Sequence, residues 1–193
     1  PNAVQATANA ITDLQGEWDA VVYIASTADE CSIPEIKDAI QNHAKVDSRV
    51  GKQAVLIAAS NVAGGRVIFA STGNLSRYYD DVRRFGDAAH QAATLAKAAG
   101  CVKPLLLVEG ASGEKYQNAV AVSYLAMCQA MWQPLEAREA LEESDIEPMQ
   151  SVGLVNPDAN ADWLNALEEG KRLARDLCGT NPERMAPPGF ADY

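Results

Sequence analysis

The run Pro104-Leu-Leu-Leu-Val108 is apolar at every position and lies between Lys103 and Glu109. A strand with no polar face must be covered on both sides, so this run predicts a central strand in a sheet carrying helices on each face. The flanking sequence supplies such helices. Before it, Ser76 to Ala99 reads as one long helix, capped by Ser76 and ended by Gly100, with Tyr78, Val82, Phe85, Ala89, Ala92 and Ala96 as its inner stripe. After it, Lys115 to Trp132 reads as a second, with Val120, Tyr124, Met127 and Met131 inward and Pro134 as its stop.

The remaining periodic segments extend the same alternation. Trp18 to Ala25 is β-branched and aromatic and reads as a buried strand. Asp29 or Ser32 can cap a helix with Pro34 in its first turn and Ile33, Ile36 and Ile40 on one face. Gln53 to Ala59 and Arg66 to Ser71 are short strands, and Ser60 to Gly65 between them suggests a hairpin. Met149 to Val155 is a last strand. Asp158 or Asn160 caps a final helix to Cys178, with Leu164, Leu167, Leu173 and Leu177 at helical spacing. Strands alternating with helices make an α/β protein, a three-layer α/β/α sandwich with a mixed sheet.

Charge narrows the partners. A net charge of −10 over 193 residues argues against nucleic acid and anionic membranes, which demand clustered Lys and Arg. Six carboxylates against the single Arg138 fall between Glu136 and Glu147, and read as a solvated helix end and loop. No apolar run approaches the ~18 residues of a membrane span, and no basic-then-apolar leader pattern opens the chain, so the cytoplasm is the expected compartment. Cys31, Cys101, Cys128 and Cys178 form no CxxC pair and are expected reduced and buried.

Patterns that carry chemistry are sparse. His43 and His90 stand alone, and no HExxH or other zinc spacing occurs. Ser112 lacks a G-x-S-x-G frame. Asp80, Asp81, Arg83 and Arg84 read as intrahelical ion pairs, with an intersubunit contact as the competing role. Gly64-Gly65 falls in a strand–strand turn, unlike a dinucleotide-binding fingerprint. Ala70 to Ser76 is a weak anion candidate, a Gly-containing loop expected to lead into a helix N-terminus. No catalytic, cofactor-binding or metal-binding residue is assigned.

The end of the chain carries a resemblance. Gly179 and Pro182 stop the final helix, Asn181 to Gly189 is proline-rich, and Phe190 to Tyr193 reads as the start of another element. Ala174-Arg-Asp-Leu177, Asn181-Pro-Glu-Arg-Met-x-Pro-Pro188 and Phe190-Ala-Asp-Tyr193 resemble the interdomain segment of the leucyl (cytosol) aminopeptidase family; Arg77 to His90 is a second matching block. The resemblance implies a macro-domain-like N-terminal domain at 1–178. Residues 179–193 would be the linker and the start of a C-terminal catalytic domain. That domain would hold two divalent metal ions, zinc or manganese, on Asp, Glu and Lys ligands and cleave N-terminal residues from peptides. Its Asn-Thr-Asp-Ala-Glu-Gly-Arg segment does not occur here. The expected partners are the chain's own catalytic domain and other copies of itself in a hexamer. Two other functions stay open: a module binding an ADP-ribose-type ligand near Ser71 to Ser76, and a structural domain of a catalytically dead paralogue. Met185 and Phe190 are expected to anchor the tail.

Overall fold

A computed structural model describes residues 7–12, 14, 16–142, 146–156 and 158–193. Six strands, β1 (Thr7–Ala10), β2 (Ala20–Ala25), β3 (Val55–Ala58), β4 (Arg66–Ser71), β5 (Pro104–Val108) and β6 (Ser151–Leu154), form one sheet in the order β1-β6-β5-β2-β4-β3. Every neighbouring pair is parallel except β3 with β4. The strand predicted to be central, β5, lies inside the sheet between β6 and β2, and all five of its residues are buried.

Side-chain alternation along β2 assigns the two faces. Val22 and Ile24 enter one core, with Ile68 and Leu106 from the neighbouring strands, under α2 (Arg83–Ala98) and α3 (Ala119–Met131). Val21 and Tyr23 enter the other, with Phe69, Leu105 and Leu107, against α1 (Pro34–Ala44) and its Ile36 and Ile40. The three-layer sandwich with a mixed sheet is therefore observed. Alanines at 88, 89, 92, 93 and 96 let α2 lie close to the sheet and α3; a Cβ on Gly86 would sit 3.0 Å from Val122.

The predicted hairpin forms between β3 and β4. Gly64, at φ 66°, lies so close to the chain before β2 that an added Cβ would sit 1.9 Å from the Asp19 carbonyl oxygen. Asn160 caps α5 (Ala161–Gly179) by accepting from the Trp163 amide at 3.0 Å. Two shorter helices, α4 (Leu135–Ala140) and α6 (Pro187–Asp192), complete the fold.

Several expectations are corrected. Ser76 does not cap α2, which begins at Arg83 because Asp81 accepts the Arg83 amide at 2.9 Å while Asp80 holds the preceding turn. Tyr78 thus lies outside the inner stripe and is 94% exposed. On α5, Leu164 is buried but Leu167 and Leu173 face outward, and the inward face carries Glu168 and Asp176. Cys178 is exposed; Cys31, Cys101 and Cys128 are buried, and all four are free thiols. Phe190 is exposed and Met185 only half-buried, so the tail is tied by polar groups instead. The Asn181 amide donates to Glu136 at 2.9 Å, Arg184 pairs with Glu139, and the Tyr193 hydroxyl donates to Asp176 at 3.0 Å. The carboxylates at 136, 139 and 147 are consequently ion-pair and hydrogen-bond partners rather than a merely solvated run; residues 143–145 lie outside the described residues.

Candidate functional site

Parallel strands leave their ligand-accessible crevice at their carboxyl ends. Here a cavity of about 580 Å³ opens beyond β5 and β6, between the α3 N-terminus and the start of α5. The Asn156 amide spans the gap, accepting from Val108 N at 3.3 Å and donating to Val108 O at 2.8 Å. Tyr116 and Trp163 supply aromatic walls. Its described lining holds Glu30, Glu109 and Asp158 and no Lys, Arg or His.

Two of these carboxylates already serve the surrounding loops. Glu30 accepts the Ser26 amide at 2.7 Å and the Thr27 amide at 3.3 Å, just past β2. It fits against Gly110, where an added Cβ would lie 2.3 Å from a Glu30 oxygen. Glu109 accepts the Ser32 amide at 3.1 Å and its hydroxyl at 2.5 Å. The amides that a phosphate would use at the end of β2 therefore hold an internal carboxylate. This cavity repels anions and suits neutral or cationic groups.

The loop Ser71 to Ser76 borders a separate cavity of about 500 Å³, lined also by Lys52, Arg84, Asp87 and His90. The loop does not lead into a helix, because α2 starts only at Arg83. Its amides are turned inward: Thr72 N donates to Ala25 O, Gly73 N to Ser71 Oγ at 3.0 Å, and Ser76 N to Asn74 Oδ1 at 3.0 Å. Side chains alone could attract an anion there, without a helix dipole.

Asp80 is fully buried in the turn before α2. It accepts from Arg77 N at 2.9 Å, from Arg77 Nη2 at 2.8 Å and from Arg84 Nε at 3.1 Å. The predicted surface pairing within one helix is thus replaced by a buried brace, which no periodicity argument could reveal. Asp81 pairs with the Arg83 guanidinium and also accepts the Arg83 amide just ahead of α2. His43 pairs with Asp47 at 3.3 Å, and His90 is exposed. Ser112 lies in a loop with its amide on Gly110 O. Among the described residues no group of three or more His, Cys, Asp or Glu could hold a metal ion. No helix among them is long and apolar enough to cross a membrane.

The densest buried charge lies beneath α5. Glu168 pairs with Arg175, and Glu147 with Arg172. Burial pushes both carboxyls above the ordinary glutamate range despite these arginines, and burial next to Glu168 raises the Cys128 thiol to about 12. A carboxyl whose folded pKa exceeds its unfolded value binds protons preferentially in the native state. Its contribution to stability therefore falls as pH rises from the unfolded pKa through the folded one. Urea unfolding at pH 5 and pH 7 should show a smaller such fall in Glu168→Gln than in the parent; an unchanged pH difference would contradict the assignment.

No protein-family profile matches the chain. A Caenorhabditis elegans protein, assigned only provisionally to the aminopeptidases, is 31% identical over 187 residues. The match takes in 91% of this chain and 35% of that protein, so the chain spans about a third of its curated relative's length. A tomato leucine aminopeptidase variant superposes with a TM-score of 0.64 at 12% identity, over all of this chain and 42% of that one. The bottromycin maturation enzyme BotP, solved in complex with Mn, also gives 0.64, at 19% identity over 90% of this chain and 34% of its own. An Oceanobacillus iheyensis macrodomain gives 0.55 at 11% identity, over 91% of this chain and 96% of that one. The chain is thus similar in sequence to part of that Caenorhabditis elegans protein, and similar in fold to the N-terminal α/β domains of leucyl aminopeptidases.

Proposed function

We propose that residues 1–178 are the non-catalytic assembly domain of a metal-dependent leucyl-type aminopeptidase, with 179–193 as the linker towards its catalytic domain. The observation that carries this reading is the 187-residue match extending over 35% of the relative's length, as expected of one domain in a longer enzyme. The catalytic domain would supply two divalent ions, zinc or manganese, which activate water against the first peptide bond. The manganese bound by BotP supports that choice of ion. This domain would contribute subunit contacts and shape the approach to the active site, in homo-oligomers such as a hexamer, in the cytoplasm.

The chain alone should release nothing above a buffer blank from leucyl-amide substrates with added manganese or zinc. The same assay on the longer protein should show metal-dependent release. Turnover by the 193-residue chain would overturn the reading, and an inactive longer protein with intact oligomers would favour a dead paralogue. The macrodomain likeness and the cavity beside Lys52, Arg84 and His90 favour a second reading, an ADP-ribose-type ligand. The carboxylates at the ends of β2 and β5 oppose it, so titration calorimetry with ADP-ribose is expected to give no binding heat.

A further inference from the structure

The two edges of the sheet are finished differently. At β1 the Asn165 side chain of α5 stands where a further strand would, accepting the Ala8 amide at 2.7 Å and donating to Ala8 O at 3.2 Å. Beyond β3 no strand follows among the described residues. The Ala59 amide donates to Gly65 O at 2.9 Å, in the same register as Val55 with Phe69 and Ile57 with Val67. Antiparallel alternation therefore aims the N–H and C=O groups of Val55 and Ile57 at β4, and those of Leu56 and Ala58 outward.

Open edges are ordinarily blunted by charge, proline or a bulge, because any extended chain can pair with them. β3 has none of the three. Its register with β4 is unbroken, and Gln53 to Gly65 contains no charged residue and no proline, in a chain of net charge −10. Leu56 is 41% exposed on the face it shares with Ala54 and Ala58, while Val55 and Ile57 enter the core beneath α1. Such an edge suits an extended, uncharged, apolar strand and offers a charged one nothing to pair with.

β3 is itself such a strand, and it complements itself. In an antiparallel pair centred on Leu56, the outward groups of Leu56 meet those of the partner's Leu56, and Ala54 meets the partner's Ala58. Val55 falls opposite the partner's Ile57, which prolongs the core beneath α1 across the junction. On the other face each Leu56 covers the other. Lys52, the nearest charge, falls opposite the partner's Ser60, eight residues along the ladder from the partner's Lys52, so no like charges meet. A two-fold interface needs a surface that matches itself in this manner.

We propose that β3 is a self-association edge whose occupant is β3 of a second copy of this chain, joining the two sheets into one about a two-fold axis at Leu56. The proposal rests on the assembly reading above and names the surface that would do the assembling.

Light scattering after size exclusion, across a concentration series of the 193-residue chain, is the test, and the parent should reach dimer mass. Leu56→Lys and Leu56→Glu each set like charges on the axis and should shift the midpoint upward by at least tenfold. An equimolar mixture of the two variants sets opposite charges there and should recover the dimer. Ala58→Pro removes an outward amide without taking a bond from β4, and should weaken the dimer to a similar extent. With Cys178 replaced by Ser, Leu56→Cys should give a disulfide-linked dimer on mild oxidation. A dimer indifferent to the changes at Leu56 and Ala58 would overturn the β3 edge and leave the assembly reading standing. So would a chain that stays monomeric at every concentration while the longer protein forms oligomers. A longer protein that is itself monomeric would overturn both.

Discussion

Replacing Phe85 with Ala should cost about 3–5 kcal/mol, the range for emptying a large aromatic site in a close-packed core. The side chain is fully buried and its ring lies 5.8 Å from that of Tyr116. Collapse around the void is resisted by what surrounds it. Ala88, Ala89 and Ala92 have no length with which to fill it, and Gly86 already brings α2 against Val122 of α3. Tyr78→Ala makes the control, because the same sequence stripe contains both residues and the structure separates them. At 94% exposure, Tyr78 should cost within about 0.5 kcal/mol. Urea unfolding with a shared m-value would measure the two, and similar losses would refute the boundary of α2 at Arg83.

That pair also shows where sequence reasoning reaches its limit. The core of the fold was legible because burial imposes a period: five consecutive apolar residues in β5 forced a covered strand, and Phe85, Ala89, Ala92 and Ala96 forced a helix against it. The start of α2 was not legible. Ser76 is a good cap by type, but Asp80 and Asp81 compete for the same backbone amides, and a carboxylate gathering an amide and two guanidinium groups prevails. β1 was missed because Thr-Ala-Asn-Ala has neither β-branched enrichment nor a clean alternation; it is held by pairing with β6 and by Asn165, which accepts the Ala8 amide at 2.7 Å.

Helix α5 defeated the pattern in another manner. Its leucine spacing located the helix but not its covered side, since periodicity finds an apolar stripe without saying what covers it: Leu164 is buried while Leu167 and Leu173 face outward. The inward face is polar because Glu168, Arg175 and Asp176 pair there, contacts far apart in sequence or hidden by spacing. The acidic cleft at the strand ends left no motif at all. Glu30 and Glu109 acquire their roles only when the ends of β2 and β5 are brought side by side.

Asp176→Ala should be the most damaging single change outside the two hydrophobic cores. The carboxylate accepts from Trp132 Nε1 at 2.8 Å and from the Tyr193 hydroxyl at 3.0 Å, and pairs with Arg138 at 2.6 Å. Arg138 is only 7% exposed, so losing Asp176 strands a buried cation, at a cost of about 3–5 kcal/mol. Arg138→Met combined with Asp176→Leu removes both charges and should recover most of that loss, which separates the cost of an orphaned charge from the worth of the pair. Burial pushes the Asp176 carboxyl up, but Arg138, Trp132 and Tyr193 outweigh it and hold it below the usual aspartate value. Its stabilisation is therefore complete above the unfolded pKa and disappears as pH falls through the lower folded one. The parent should lose stability over that acid range, and Asp176→Ala should lose correspondingly less. Because Tyr193 closes onto the same carboxylate, the variant should also free the tail. Limited proteolysis ought to cut between Asn181 and Tyr193 sooner than in the parent at equal global stability, whereas equal cutting rates would mean that Arg184 and Glu139 hold the segment without help from Asp176.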